Sequence, residues 1–77
     1  MSNILPGTDV YTADNDKIGQ VKEVRGGYFK VNAMGQPDYW LETDCCASGY
    51  AGGDVRLIFT KDKLGEHKID ESRVKAA

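Results

Sequence analysis

Asp14-Asn15-Asp16-Lys17-Ile18-Gly19-Gln20-Val21-Lys22-Glu23-Val24-Arg25-Gly26-Gly27-Tyr28-Phe29-Lys30-Val31-Asn32 is the stretch that decides the fold. Its opening Asp/Asn cluster is turn chemistry, because both residues tolerate left-handed backbone and bond their own main chain. Gly26-Gly27 is the two-residue link of a tight hairpin. Between turn and link, Lys17 to Arg25 reads as a strand. Beyond the link, Tyr28 to Asn32 alternates cleanly, with Phe29 and Val31 on one face and Tyr28, Lys30 and Asn32 on the other. The first of these strands carries a conflict: Ile18, Val21 and Val24 are spaced by three. A helix accepts that spacing, but Gly19 and the flanking turns oppose a helix. Gly19 therefore reads as a bulge that resets the facing of the residues after it. Bulges and glycine kinks are what allow a small sheet to curl.

Working outward, Asp9 to Thr12 reads as the first strand, Tyr39 to Glu42 as the fourth and Val55 to Phe59 as the fifth. Met34 to Asp38 is a loop broken by Gly35 and Pro37, and Thr43 to Asp54 an irregular connection. Lys61 to Ala77 is polar, with Leu64, Ile69 and Val74 as its sizeable apolar side chains. Thr60 suits the cap of a short helical turn that Gly65 interrupts, and the last eight or so residues are expected to fray. The expected fold is mainly all-β: a small, strongly bent antiparallel barrel of about five strands over residues 1–60, with a polar, partly helical or frayed tail over 61–77.

Seventy-seven residues make room for one core. A domain this small buries only about 60% of the surface its unfolded chain exposes, so partners or staples matter. Residues 1–40 carry four Lys/Arg and five Asp/Glu, and the remainder six and seven. The absence of any basic stripe argues against nucleic acid, whose phosphates require concentrated positive charge. Met1 to Val10 lacks the pattern of a signal peptide, and no stretch approaches the roughly 20 apolar residues of a membrane span. A soluble, cytoplasmic protein is expected.

Residues 4–60 also resemble a known family. Gly7-Thr8-Asp9-Val10-Tyr11 followed by Ala13-Asp14-Asn15-Asp16 and Ile18-Gly19-Gln20-Val21 looks like the opening of the PRC-barrel family. Tyr28-Phe29-Lys30-Val31, Tyr39-Trp40-Leu41, Cys45-Cys46 and Val55-Arg56-Leu57 stand where that family has its later strands and apolar turn. The chain is also similar to a bacterial group of stand-alone PRC-barrel-like domains. The resemblance implies a small barrel like an SH3 domain, used for binding and assembly, as in members found in the photosynthetic reaction centre and in a ribosome maturation factor. It implies no catalytic residue and no cofactor.

Several residue groups bear on chemistry. Cys45 and Cys46 are adjacent, so they cannot staple distant segments. As a vicinal dithiol they would sense oxidation or bind a soft metal, and as packing they would plug a barrel end, since free Cys is among the most buried residues. His67 has no partner visible in the sequence, and a lone titratable group is no catalytic unit. Asp14 to Asp16 faintly resembles a calcium loop, but the twelfth place holds Arg25 where a Glu ligand belongs. Ser48 to Asp54 is glycine-rich yet lacks the Lys-Ser/Thr ending and the helix of a phosphate loop. Tyr28, Tyr39, Trp40 and Tyr50 are the candidate protein-binding face, because exposed Tyr and Trp anchor interfaces. In a strand, Tyr39 and Leu41 share the face opposite Trp40, so one side should be left for solvent or a partner.

The chain is therefore expected to be a non-enzymatic binding or assembly module, with a protein partner or a homodimer. The rival reading is a small thiol-redox or metal-responsive protein using Cys45 and Cys46. A weaker third is an RNA- or ribosome-associated factor, which the acidic balance opposes.

Overall fold

The computed structural model describes residues 4–48 and 54–76. Six strands form one sheet: β1 (Asp9–Tyr11), β2 (Lys17–Arg25), β3 (Tyr28–Ala33), β4 (Tyr39–Glu42), β5 (Cys46–Ser48) and β6 (Val55–Leu57). Their order is β4-β3-β2-β1-β6-β5. Two short helices follow, α1 (Leu64–His67) and α2 (Glu71–Ala76). The all-β class holds, and the sheet curls around a core of Val10, Val21, Phe29, Val31, Leu41, Val55 and Leu57.

The curl is built where the Ile18/Val21/Val24 spacing predicts it. Val10 pairs with Gly19 but Tyr11 pairs with Lys17, so Ile18 is the extra residue of a bulge. Ile18 and Gly19 are consequently both buried. A second bulge follows: Val21 pairs with Val31 and Glu23 with Lys30, leaving Lys22 extra. After it Val24 faces Phe29 again. Two bulges in nine residues reconcile a spacing of three with a strand, and bend it. The Asp14–Asp16 turn forms as read, with Asn15 at a φ of +70°. Buried Thr12 anchors it, its hydroxyl donating to Asp14 and accepting from the Asp16 N–H.

Three expectations need correction. The sheet is not wholly antiparallel, because β1 and β6 run parallel, and edge strands β4 and β5 are not paired with each other, which leaves a curled half-barrel. The strands number six rather than about five: β5 lies inside the supposed irregular connection, where a 3-10 turn over Thr43–Cys45 leads into it. Three residues with one alternation carry too little pattern to announce a strand.

The tail is the third. Its partly helical character is as expected, but the last eight or so residues, expected to fray, carry α2 and fold onto the sheet. Gly65 lies inside α1 instead of ending it. Ile69 makes an antiparallel bridge with Trp40, its N–H donating to the Trp40 carbonyl at 2.9 Å and its carbonyl accepting from the Trp40 N–H at 3.2 Å. Ile69, Val74 and Trp40 form a second small core, and Lys30 pairs with Glu71 at 3.3 Å. The bridge also occupies the outward backbone groups of edge strand β4, which would otherwise invite pairing with another chain. No described helix is long and apolar enough to cross a membrane.

Candidate functional site

The aromatic face does not survive as an exposed anchor. Tyr39, Trp40 and Leu41 are all buried, at 8%, 1% and 0% exposure. Alternation along β4 is kept, with Tyr39 and Leu41 in the main core, but Trp40 on the opposite face is covered by Ile69 and Val74 of the chain's own tail. The side left for a partner is thus filled internally. Tyr28 is half-buried against that second core. Arg25 and Lys30 flank the Trp40 ring at 5.5 and 5.8 Å. Tyr50 lies outside the described residues.

The cysteines sit where β4 turns into β5. Cys45 is buried and Cys46 half-buried, and both are free thiols. His67, with no partner legible in the sequence, packs here: its Nδ1 is 4.0 Å from the Cys45 sulfur, and its ring stacks on Phe59 at 4.0 Å. Twenty-two residues separate the two, and only the docking of α1 joins them. A thiol beside an imidazole suggests a nucleophile, but the environment opposes ionisation. Burial, then the Glu42 and Asp44 carboxylates, push the Cys45 thiol up. Burial pushes Cys46 up to about 11. Reactivity belongs to the thiolate, so both sulfurs are held in their unreactive form. Ellman's reagent should therefore react slowly with the native chain and release both thiols at once in denaturant; fast native reaction at Cys46 would contradict this burial.

The same burial fixes a pH response. Tyr39 is raised to about 12 by burial, alongside Cys46 at about 11. In the unfolded chain these groups ionise from about 10 and 9. Raised values favour the folded state while the groups stay protonated, so their contribution is complete below pH 9 and lost as pH climbs toward 12. Urea midpoints should fall over that window; a midpoint constant through pH 11 would contradict the assignment.

A different part of the surface is open. Core residues reach the surface at the end of the sheet where β2 begins and β3 ends. Ile18, Ala33, Tyr39 and Leu64 each keep 8–9% exposure there, whereas Val10, Phe29, Val31 and Leu41 keep none. Those four line a cleft of about 230 Å³ beside Met34, with Lys17, Gln36 and Lys61 at its rim. A second cleft of about 320 Å³ continues past Met34 toward Gln20 and Asn32. Met34 itself is 72% exposed, the most of any large apolar side chain described. Sequence reading passed over this mouth, because Met34 lies in a loop and its neighbours come from four separated segments. The one signal was an unbranched apolar residue next to a turn glycine, Gly35.

No family model matches the chain, and the comparisons with curated proteins and with solved structures likewise found no match.

Proposed function

We propose that this chain is a non-enzymatic binding or assembly module acting through the open mouth of its half-barrel at Met34. One observation carries the reading: the most exposed large apolar side chain described stands beside two adjoining clefts floored by core residues. An apolar concavity with a polar rim is the usual form of a recognition site. The likeness of Ile18-Gly19-Gln20-Val21 to the PRC-barrel opening supports the same reading, since that family's barrels serve assembly. The setting we propose is cytoplasmic, where two free thiols remain reduced.

Capture from the native organism's lysate, run in parallel with wild-type and Met34→Asp chains, tests this. Met34 is too exposed for the change to unfold the domain. A partner retained by the wild type and lost with the variant is the expected outcome; identical capture by both would remove the mouth from the account. Self-association is one form of such binding, and a homodimer through this mouth would show as a mass in sedimentation equilibrium that rises with concentration and no longer rises with Met34→Asp.

The thiol reading is favoured by one contact, Cys45 beside His67 at 4.0 Å. Its burial argues the other way, and the thiol titration above decides between them.

A further inference from the structure

We propose that the Met34 mouth takes an apolar side chain presented on an acidic peptide segment of a partner protein. The inference rests on the binding reading above and gives the partner's chemistry.

Size limits the occupant first. The apolar cleft, about 230 Å³, is smaller than the roughly 300–1,000 Å³ of sites that enclose small-molecule ligands. By itself it is the size of a side chain, and the adjoining cleft of about 320 Å³ extends it. Its floor, Ile18, Ala33 and Leu64, is aliphatic, and Met34 at the edge is an unbranched, adaptable wall. The neighbouring cleft is lined instead by the amides of Gln20 and Asn32. These groups can donate to and accept from a peptide backbone. Apolar pocket and amide-lined extension together match one anchored residue and the chain that follows it.

Charge limits it next. Among the described residues, Lys17 and Lys61 are the charged residues lining the two clefts, and no Asp or Glu lines either. On the adjoining side Lys68 lies over the Tyr39 ring at 4.6 Å, in a cleft that Asp38, Asp70 and Glu71 also line, so it adds no net positive charge. Asp9 pairs with Lys17 at 3.3 Å and also accepts from the Gln20 side-chain amide at 3.1 Å, leaving the Asn32 amide and the Gln20 oxygen for a peptide, and Asp14 lies near Lys61. The Asp9–Lys17 pair is solvent-exposed, so it is weak and exchangeable. The chain as a whole carries a net charge of −2. Among the described residues the charge lining the two clefts is thus positive, on a chain that is negative as a whole, and this favours an acidic segment there. A single-stranded nucleic acid fits less well. It wants open aromatic faces and many cations, whereas Tyr39 here is buried beneath the mouth.

The test pans the full-length chain against a library of short peptides with a central Leu, Ile, Met or Phe and randomised flanks. Met34→Asp and the double variant Lys17→Glu/Lys61→Glu run beside it, with circular dichroism confirming their fold. The expected result is enrichment of Asp and Glu in the flanks, loss of the bound pool on Met34→Asp, and about tenfold weaker binding on the double variant. Affinity for a selected peptide should also fall as salt is raised. Flanks that are neutral or basic, or retention of a single-stranded RNA oligonucleotide in place of peptide, would overturn the partner class while leaving a Met34-dependent lysate partner standing. An enriched pool that ignores Met34→Asp would overturn the site, and equal lysate capture by wild type and variant would overturn the binding reading beneath it.

Discussion

Gly19→Val is expected to lower the thermal midpoint by roughly 8–16 °C, at ~4–8 °C per kcal/mol for a domain of this size and a cost of ~2 kcal/mol or more. The reason is geometric. A Cβ at Gly19 would stand 2.4 Å from the Asn32 carbonyl oxygen, 3.1 Å from the Asn32 carbonyl carbon and 3.1 Å from a Val31 methyl. Two of those atoms are backbone of β3, which pairs regularly with β2 here, Gly19 with Ala33 and Gln20 with Asn32. They cannot withdraw without opening the ladder that curves the sheet. The φ of +154° adds strain for any side chain. Alanine should already carry most of the penalty, since the clash belongs to the Cβ itself, and valine adds its branch. Gly27→Ala is the control, because nothing lies within 4 Å of a Cβ there. Equal midpoints for Gly19→Ala and Gly27→Ala would show that β3 does not approach Gly19 as closely as described.

Ending the chain at Lys68 is the second large effect. It removes Ile69 and Val74, buried to 8% and 4%. Full burial of such side chains is worth about 1.5–3 kcal/mol each, so a loss of about 3–6 kcal/mol is expected. It also uncovers Trp40, the only tryptophan, whose emission should shift to the red. Val74→Asp should reproduce the shift in the full-length chain by placing a charge against the indole. Trp40 is sensitive for another reason. Its Nε1 is buried without a hydrogen-bond partner among the described residues, and a buried unpaired donor costs about 1–3 kcal/mol. The tail is therefore a necessary but imperfect cover. Unchanged emission after truncation would mean that Trp40 is shielded from elsewhere.

The parts of the fold that could be read in advance are the parts where short-range chemistry decides. Gly26-Gly27, the Asp14–Asp16 turn and the Phe29/Val31 alternation each specify their own geometry locally. Even the three-residue spacing in β2 was readable, because strand geometry forbids it without a bulge. The parallel β1/β6 pair was not, since it joins residues some 45 positions apart and leaves no periodic mark. Trp40 shows the same limit. Its alternation conflict was real, but its resolution lay in Ile69 and Val74, two apolar residues in a polar tail. Isolated apolar residues in a polar segment read as incidental until a partner is placed over them. His67 met Cys45 by that same docking. Met34 looked like a loop residue because the concavity beside it is assembled from β2, β3, β4 and α1, and concavity has no sequence pattern.

The central claim is that binding occurs at the Met34 mouth, and amide hydrogen–deuterium exchange with and without the captured partner measures it most directly. Protection should rise at residues 17–20, 32–36 and 61–64, with α2 and the β2–β3 hairpin tip at Gly26-Gly27 unchanged. Protection confined to α2, or to the outer face around Arg25 and Tyr28, with the mouth unaltered, would contradict the account.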